Sequence, residues 1–278
     1  MIINIFFLFL FSLSANPTFL IHGIGGSQKD LLDIQKSLEK NDFPVFSLSI
    51  QNSIFGSMDK MCESVGNQIY SICNTNIKTF YPQTNINLIG ISQGGLLARC
   101  FVERYSGEKV KVDSLITYGT PHMGIYYKSS PFPISFLEYW KDPYQYNKYL
   151  RENKFLRFLN NDVNHVNTSL YKTRMESLSN FIMFWSGIDD VIQPRKSAAF
   201  EFYNISLAEE RKELEIVNFE KSSQNLENRI GLGYLKKAGN FMDFRFDCSH
   251  EKFKHPECFR DFIVNGSTIL NLTLKYLK

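Results

Sequence analysis

The feature that most restricts this chain is the pentapeptide Gly90-Ile-Ser-Gln-Gly94. It stands between an apolar run, Asn85-Ile-Asn-Leu-Ile89, and a stretch, residues 96–105, that has helical spacing and neither Pro nor Gly. A serine at a sharp strand-to-helix turn is driven into an unusual backbone region that tolerates only small neighbours, and Gly90, Gly94 and Gly95 provide that room. The helix beyond the turn aims its unbonded N–H groups and the positive end of its dipole at the space beside Ser92. Such a place suits a developing oxyanion, with the N–H of Gln93 as one donor.

The rest of the chain supplies what such a turn needs. Strands are predicted at Thr18-Phe-Leu-Ile21 and over residues 44–50, 112–118 and 181–185, with a weaker one over 214–219. Helices are predicted over residues 29–40, 57–77 and 268–277. Short apolar strands alternating with helices argue for a mostly parallel sheet covered on both faces. With 278 residues, 44% hydrophobic, and no linker-like tract, the expectation is one domain over residues 16–278. Its fold class is α/β, an α/β-hydrolase fold with a helical cap insertion.

A serine hydroxyl needs a base, and the imidazole that serves as base needs a carboxylate to set its tautomer. In this fold the acid and then the histidine follow the serine. Asp189 lies just after the strong strand 181–185, with Asp190 as fallback, and His250 falls ahead of the last helix, with His255 as rival. His22, in His22-Gly-Ile-Gly-Gly26 after the first strand, is read as packing or hydrogen bonding; the N–H of Ile24 in that loop is the second oxyanion donor. His122, at the end of the 112–118 strand, comes too early to complete the set but is placed to touch substrate. Residues 125–180 hold Trp140 and many tyrosines and phenylalanines, with few strand signals. They form either a cap offering an apolar channel or a helical addition with its own small core. No H-E-x-x-H, zinc-spaced cysteines, G-x-G-x-x-G or phosphate-binding loop occurs, so neither metal nor cofactor is indicated. The net charge of +3, from 31 basic and 28 acidic residues spread along the chain, gives no reason to expect nucleic acid.

Residues 1–15 read as an export signal: an apolar core too short to span a bilayer, then small residues. The alternative, a buried first strand, is disfavoured by Pro17 and by the strand that follows at once. No later segment is a membrane span. Sequons at Asn167, Asn204, Asn265 and Asn271 agree with export to the lysosome or the exterior, as do five cysteines, enough for two disulfides. Cys248 and Cys258 are the readiest pair, bracing the segment around His250. Cys62 and Cys73 lie three turns apart on one predicted helix, too far to bond each other, and either could instead reach Cys100; Cys73 and Cys100 are the candidate pair, with the choice between Cys62 and Cys73 left open.

The chain resembles the palmitoyl-protein thioesterases, from about residue 18 to its end. The resemblance rests on Ile21-His-Gly-Ile-Gly25, Gly90-Ile-Ser-Gln-Gly-Gly95, Tyr139-Trp-Lys-Asp-Pro143, Asp189 with Pro194, Arg229-Ile-Gly-Leu-Gly233, Lys237-Ala-Gly239 and Ser249-His250. It departs from the family where Ile24 replaces the usual Met and where Gly119-Thr-Pro-His-Met-Gly124 replaces a glutamine-containing loop. The resemblance implies a Ser92–Asp189–His250 triad, oxyanion donors at Ile24 and Gln93, an acyl groove partly built by the cap, and S-acylated proteins as substrates. An oxygen-ester lipase would use the same three residues. A lipid-binding protein on a hydrolase scaffold would bind fatty acid yet fail to react with a fluorophosphonate.

Overall fold

The computed structural model describes residues 15–76, 84–127 and 134–278. The segment read as an export signal therefore lies, apart from Ala15, outside the described residues, as do Ile77 at the end of the second predicted helix and Phe132 of the aromatic insertion. The strands are β1 (Thr18–Ile21), β2 (Val45–Leu48), β3 (Thr84–Ile91), β4 (Val110–Tyr118), β5 (Asn180–Trp185), β6 (Phe202–Tyr203), β7 (Ile216–Val217) and β8 (Phe241–Arg245). Six of them form one sheet in the order β2-β1-β3-β4-β5-β8, with every neighbouring pair parallel.

Alternation along these strands divides the core in two. Phe19, Ile21, Leu88, Leu115, Phe181 and Met183 face one side. There they meet α2 (Met58–Asn76) and α3 (Gln93–Arg104), which follow α1 (Leu32–Glu39) in the chain. Leu20, Ile89, Ile116, Ile182 and Phe184 face the other side. Between β4 and β5 the chain forms α4 (Ile134–Leu137), α5 (Tyr146–Glu152), α6 (Leu156–Leu159) and α7 (Thr168–Glu176), and α7 packs on α3. Between β5 and β8 come α8 (Ile205–Arg211), α9 (Ser223–Leu226) and α10 (Leu232–Lys237). After β8, α11 (Pro256–Phe259) and α12 (Ile269–Tyr276) join α1 on the second face. This is a doubly covered parallel sheet, the α/β-hydrolase architecture.

One strand departs from the sequence expectation. In the 214–219 region only Ile216 and Val217 are extended, and they pair antiparallel with β6 outside the main sheet. The sixth strand of the sheet is β8, which the hydropathy pattern did not mark. As an edge strand it is half exposed, and Asp243 and Arg245 interrupt its apolar residues.

The cysteine pairing also needs correction. Cys248 bonds Cys258 as expected, but Cys100 bonds Cys62, leaving Cys73 buried and free. Helices α2 and α3 lie side by side, and Cys62 sits near the start of α2, 6.1 Å (Cα to Cα) from Cys100. Cys73 is about 16 Å further along the axis, at about 1.5 Å per residue. The Cys62–Cys100 bridge closes a 38-residue separation and Cys248–Cys258 one of 10. Loop-closure entropy then predicts losses of about 4 and about 3 kcal/mol on removing each pair by alanine substitution. Chemical denaturation checks this, and the second pair of substitutions should also depress activity, because its loop carries His250.

Candidate active site

Ser92 stands between the end of β3 and the start of α3 with φ 54° and ψ −127°, a conformation that side chains rarely adopt. Its amide donates to the Tyr118 carbonyl at 2.8 Å, which ties the turn to the end of β4. A β-carbon on Gly94 would collide with the carbonyl of Ile21, and one on Gly95 with Thr120. The helix can enter under the turn only because these residues are glycine. Gly23 comes as close from the other side, since a β-carbon there would lie 3.0 Å from that of Ser92. Ile24 thus borders the same small cavity as Ser92, about 70 Å³ in volume. Gln93 is buried, and its side chain donates to the Ser53 carbonyl, which leaves its backbone at the first position of α3.

His250 borders that cavity too, and its Nδ1 lies 2.8 Å from Asp189 Oδ2. Asp189 is 1% exposed, and its Oδ1 accepts the N–H groups of Val191 and Ile192, each at 2.8 Å, so the carboxylate is held on both oxygens. Asp190 is not idle: it accepts the backbone N–H of His250 at 3.2 Å. Gly119, at φ +53°, lies against the ring and the carboxylate, so that a β-carbon there would sit 3.2 Å from His250 Nδ1. The close approach of Gly23 to Ser92 is what the glycines of the His22–Gly26 loop led one to expect. Gly119 was not marked as lying against the His250–Asp189 pair, because its role comes from close approach across strands, which no local pattern carries.

The other histidines are occupied elsewhere. His22 accepts the Ile50 N–H on Nε2 and donates from Nδ1 to the Gly23 carbonyl, so it is neutral and braces the loop. His255 is exposed at the N-cap position of α11, where its side chain makes no capping hydrogen bond, and His165 bonds within the insertion. The expectation that His122 touches substrate is corrected. Its ring is fully buried, stacked on Phe200 at 4.6 Å, and hydrogen-bonded to Thr117, and it does not border the cavity at Ser92. Burial, and then the nearby Arg99, hold its pKa well below the usual value. The fold therefore keeps it neutral at pH values where the unfolded chain would protonate it. The stability it contributes is complete above about pH 6.5 and is lost as pH falls, by about 1.4 kcal/mol per unit. Unfolding of wild type and His122→Gln between pH 7.5 and 5 should show the wild type's advantage shrinking by that slope below pH 6.5.

Trp140 lies in a larger groove of about 450 Å³, lined also by Tyr126, Tyr127 and Leu137 and by the charged Lys148 and Glu152. Tyr126 and Trp140 rings pack at 5.4 Å, and Tyr127 stacks on Trp140 at 6.2 Å. The Tyr127 hydroxyl is pushed up to about 12 by burial and then by the carboxylates of Asp189 and Asp190, and the Tyr126 amide donates to the Gln193 carbonyl at 2.7 Å, tying this groove to the loop after Asp189. The segments Tyr139-Trp-Lys-Asp-Pro143 and Arg229-Ile-Gly-Leu-Gly233 meet at Asp162, a residue the sequence reading passed over. Asp162 accepts Lys141 at 3.3 Å, Tyr149 at 2.8 Å and Arg229 at 3.0 Å while almost fully buried. Of the sequon asparagines, Asn167, Asn265 and Asn271 are exposed, whereas Asn204 is half-buried and caps α8.

A strained serine at a helix N-terminus and a histidine bonded to a buried carboxylate, with serine and histidine bordering one cavity, are groups suited to nucleophilic acyl transfer. Among the described residues no cluster of His, Cys, Asp and Glu is arranged to hold a metal ion. Fold and site together define an enzyme of the α/β-hydrolase fold. The chain belongs to the palmitoyl protein thioesterase family, whose model matches residues 17–250. It is 28% identical to palmitoyl-protein thioesterase 3 of Dictyostelium discoideum, over 95% of this chain and 93% of that protein. It is also 28% identical to lysosomal thioesterase PPT2-B of Xenopus laevis, covering 82% and 83% of the two chains. Among solved structures it resembles Aspergillus fumigatus lipase B, with a TM-score of 0.51 at 13% identity, over 86% of this chain and 49% of that one. Bacillus licheniformis lipase BlEst2 matches with a TM-score of 0.50 at 12% identity, over 88% and 89%. At such identities these two comparisons speak for the fold alone.

Proposed function

We propose that this protein hydrolyses long-chain fatty acyl thioesters, S-palmitoyl groups on protein cysteines above all, through an acyl intermediate on Ser92. The observation that carries the reading is the 2.8 Å bond between His250 and Asp189, with His250 and strained Ser92 on one cavity, in a chain of this family. Ser92 Oγ attacks the thioester carbonyl carbon while His250 Nε2 takes the hydroxyl proton. The tetrahedral anion is stabilised by the N–H groups of Ile24 and Gln93, each worth about 3 kcal/mol. Collapse breaks the C–S bond, and the departing cysteine sulfur takes the proton from His250. Water then attacks the acyl-serine, giving its proton to His250, which returns it to Ser92 as the fatty acid leaves. No cofactor enters this chemistry.

The groove at Trp140 is proposed to hold the acyl tail under residues 125–180 acting as a cap. Burying the tail stabilises the complex by about 0.8 kcal/mol per methylene before ordering costs, so the length of this wall sets chain preference. Trp140→Ala is expected to raise KM for a palmitoyl substrate by about 10- to 100-fold, the worth of one large aromatic face. It should leave a butyryl substrate nearly unchanged, and steady-state kinetics across chain lengths will check the split. We further propose export, to the lysosome or the exterior, on the strength of residues 1–15, two disulfides, and a Xenopus relative named as lysosomal.

The deciding experiment compares palmitoyl-cysteine peptides, palmitoyl-CoA and matched oxygen esters on the same enzyme, together with fluorophosphonate labelling. Preference for thioesters with labelling at Ser92 supports the proposal. Faster oxygen-ester turnover makes the protein a lipase-type esterase with the same residues, and bound fatty acid without labelling makes it a carrier.

A further inference from the structure

The outer edge of β8 has no partner strand among the described residues. Beside it runs a groove of about 470 Å³ walled by Phe244, Phe246, Phe262, Val264 and Leu272. Phe262 is 39% exposed and its neighbour Ile263 64%. An unpaired strand edge next to exposed aromatic surface invites edge-to-edge association, and proteins that last in solution cover such places. Here the lip of the groove is Asn265 of the sequon Asn265-Gly-Ser267. Val264 and Ser267 exchange both backbone hydrogen bonds, at 2.9 and 3.1 Å, around Asn265 at φ 51° and Gly266 at φ 77°. That two-residue turn of the primed kind holds the Asn265 side chain out in solvent.

We propose that Asn265 carries an N-linked glycan whose first sugars lie in this groove and cover the edge of β8. The apolar faces of pyranose rings suit the phenylalanine wall, and their hydroxyls suit the charged rim of Asp243, Arg245 and Asp247. A hydrated chain anchored at the lip blocks addition of a second strand by bulk alone. Asn167 and Asn271 are also exposed, but neither borders this groove. The inference rests on the export reading above.

The test uses the full chain made in a eukaryotic secretory host. Glycopeptide mass spectrometry should find Asn265 occupied, and light scattering should find the protein monomeric. Ser267→Ala removes the sequon while keeping the turn, since Ser267 contributes its backbone to that turn. This variant should associate with rising concentration and bind a hydrophobic dye more strongly, while its hydrolase activity is kept. Asn167→Gln should do neither, and adding Phe262→Ser to Ser267→Ala should restore the monomer. Occupancy at Asn167 with Asn265 bare, or a Ser267→Ala protein that stays monomeric and dye-silent, overturns this inference alone. A secreted chain with Asn265 bare overturns it alone, whereas a chain that is not secreted and carries no glycan at any sequon overturns it together with the export reading.

Discussion

Ser92→Ala is expected to lower kcat/KM toward a palmitoyl-cysteine peptide by about 10⁴- to 10⁶-fold while the protein stays folded. What remains is catalysis by the oxyanion donors and by acyl binding, neither of which the substitution touches. The substitution also separates chemistry from strain. Ser92 is held at φ 54° and ψ −127°, where a β-carbon costs about 1–3 kcal/mol, and alanine keeps that β-carbon. Glycine does not. Ser92→Gly should therefore be as inactive as Ser92→Ala yet more stable than wild type by about 1–2 kcal/mol, once glycine's larger unfolded-state entropy is deducted. Urea unfolding of the three proteins beside their kinetics will test both statements. Activity within tenfold of wild type in either variant would remove Ser92 from the reaction.

The site's chain order was legible because each member follows a local signal. The serine turn needs glycines within three residues, the acid follows a strand buried along its whole length, and His250 precedes the last helix between two cysteines that bond. Across strands, nothing local remained to be read. The closeness of Gly119 to the His250–Asp189 pair and the burial of His122 depend on which strands become neighbours, as β4 and β5 do here. His122 misled because the carboxyl end of a central strand is where substrate-touching residues gather, while Phe200, 78 residues further along, covers this one. The choice of Cys62 over Cys73 turned on how far α2 slides along α3, a tertiary quantity. β8 escaped notice because a one-sided edge strand needs few apolar residues, and its partner β5 lies about 60 residues earlier.

Asp189→Asn is expected to cost about 10³- to 10⁴-fold in kcat with little change in KM, through the tautomer of a ring it leaves in place. The wild-type carboxylate accepts on both oxygens: Val191 and Ile192 donate to Oδ1, and the proton on His250 Nδ1 points to Oδ2. An asparagine in the same rotamer must keep its carbonyl oxygen toward the two backbone donors, because turning it round would set an NH₂ against two N–H groups inside the fold. Its NH₂ then faces His250 Nδ1 and forces that nitrogen to accept. The ring proton moves to Nε2, which can no longer take the proton of Ser92. Because that fault lies in protonation and not in geometry, raising the pH should recover part of the rate, as hydroxide rather than imidazole begins to ionise the serine. Asp190→Asn, by contrast, keeps an oxygen that accepts the His250 N–H and should lose only a few-fold, since the rest of its carboxylate is exposed. A pH–rate profile for each variant beside wild type will discriminate the two aspartates. Equal losses, or the larger loss at Asp190, would mean that Asp189 is not the carboxylate that sets the imidazole's tautomer.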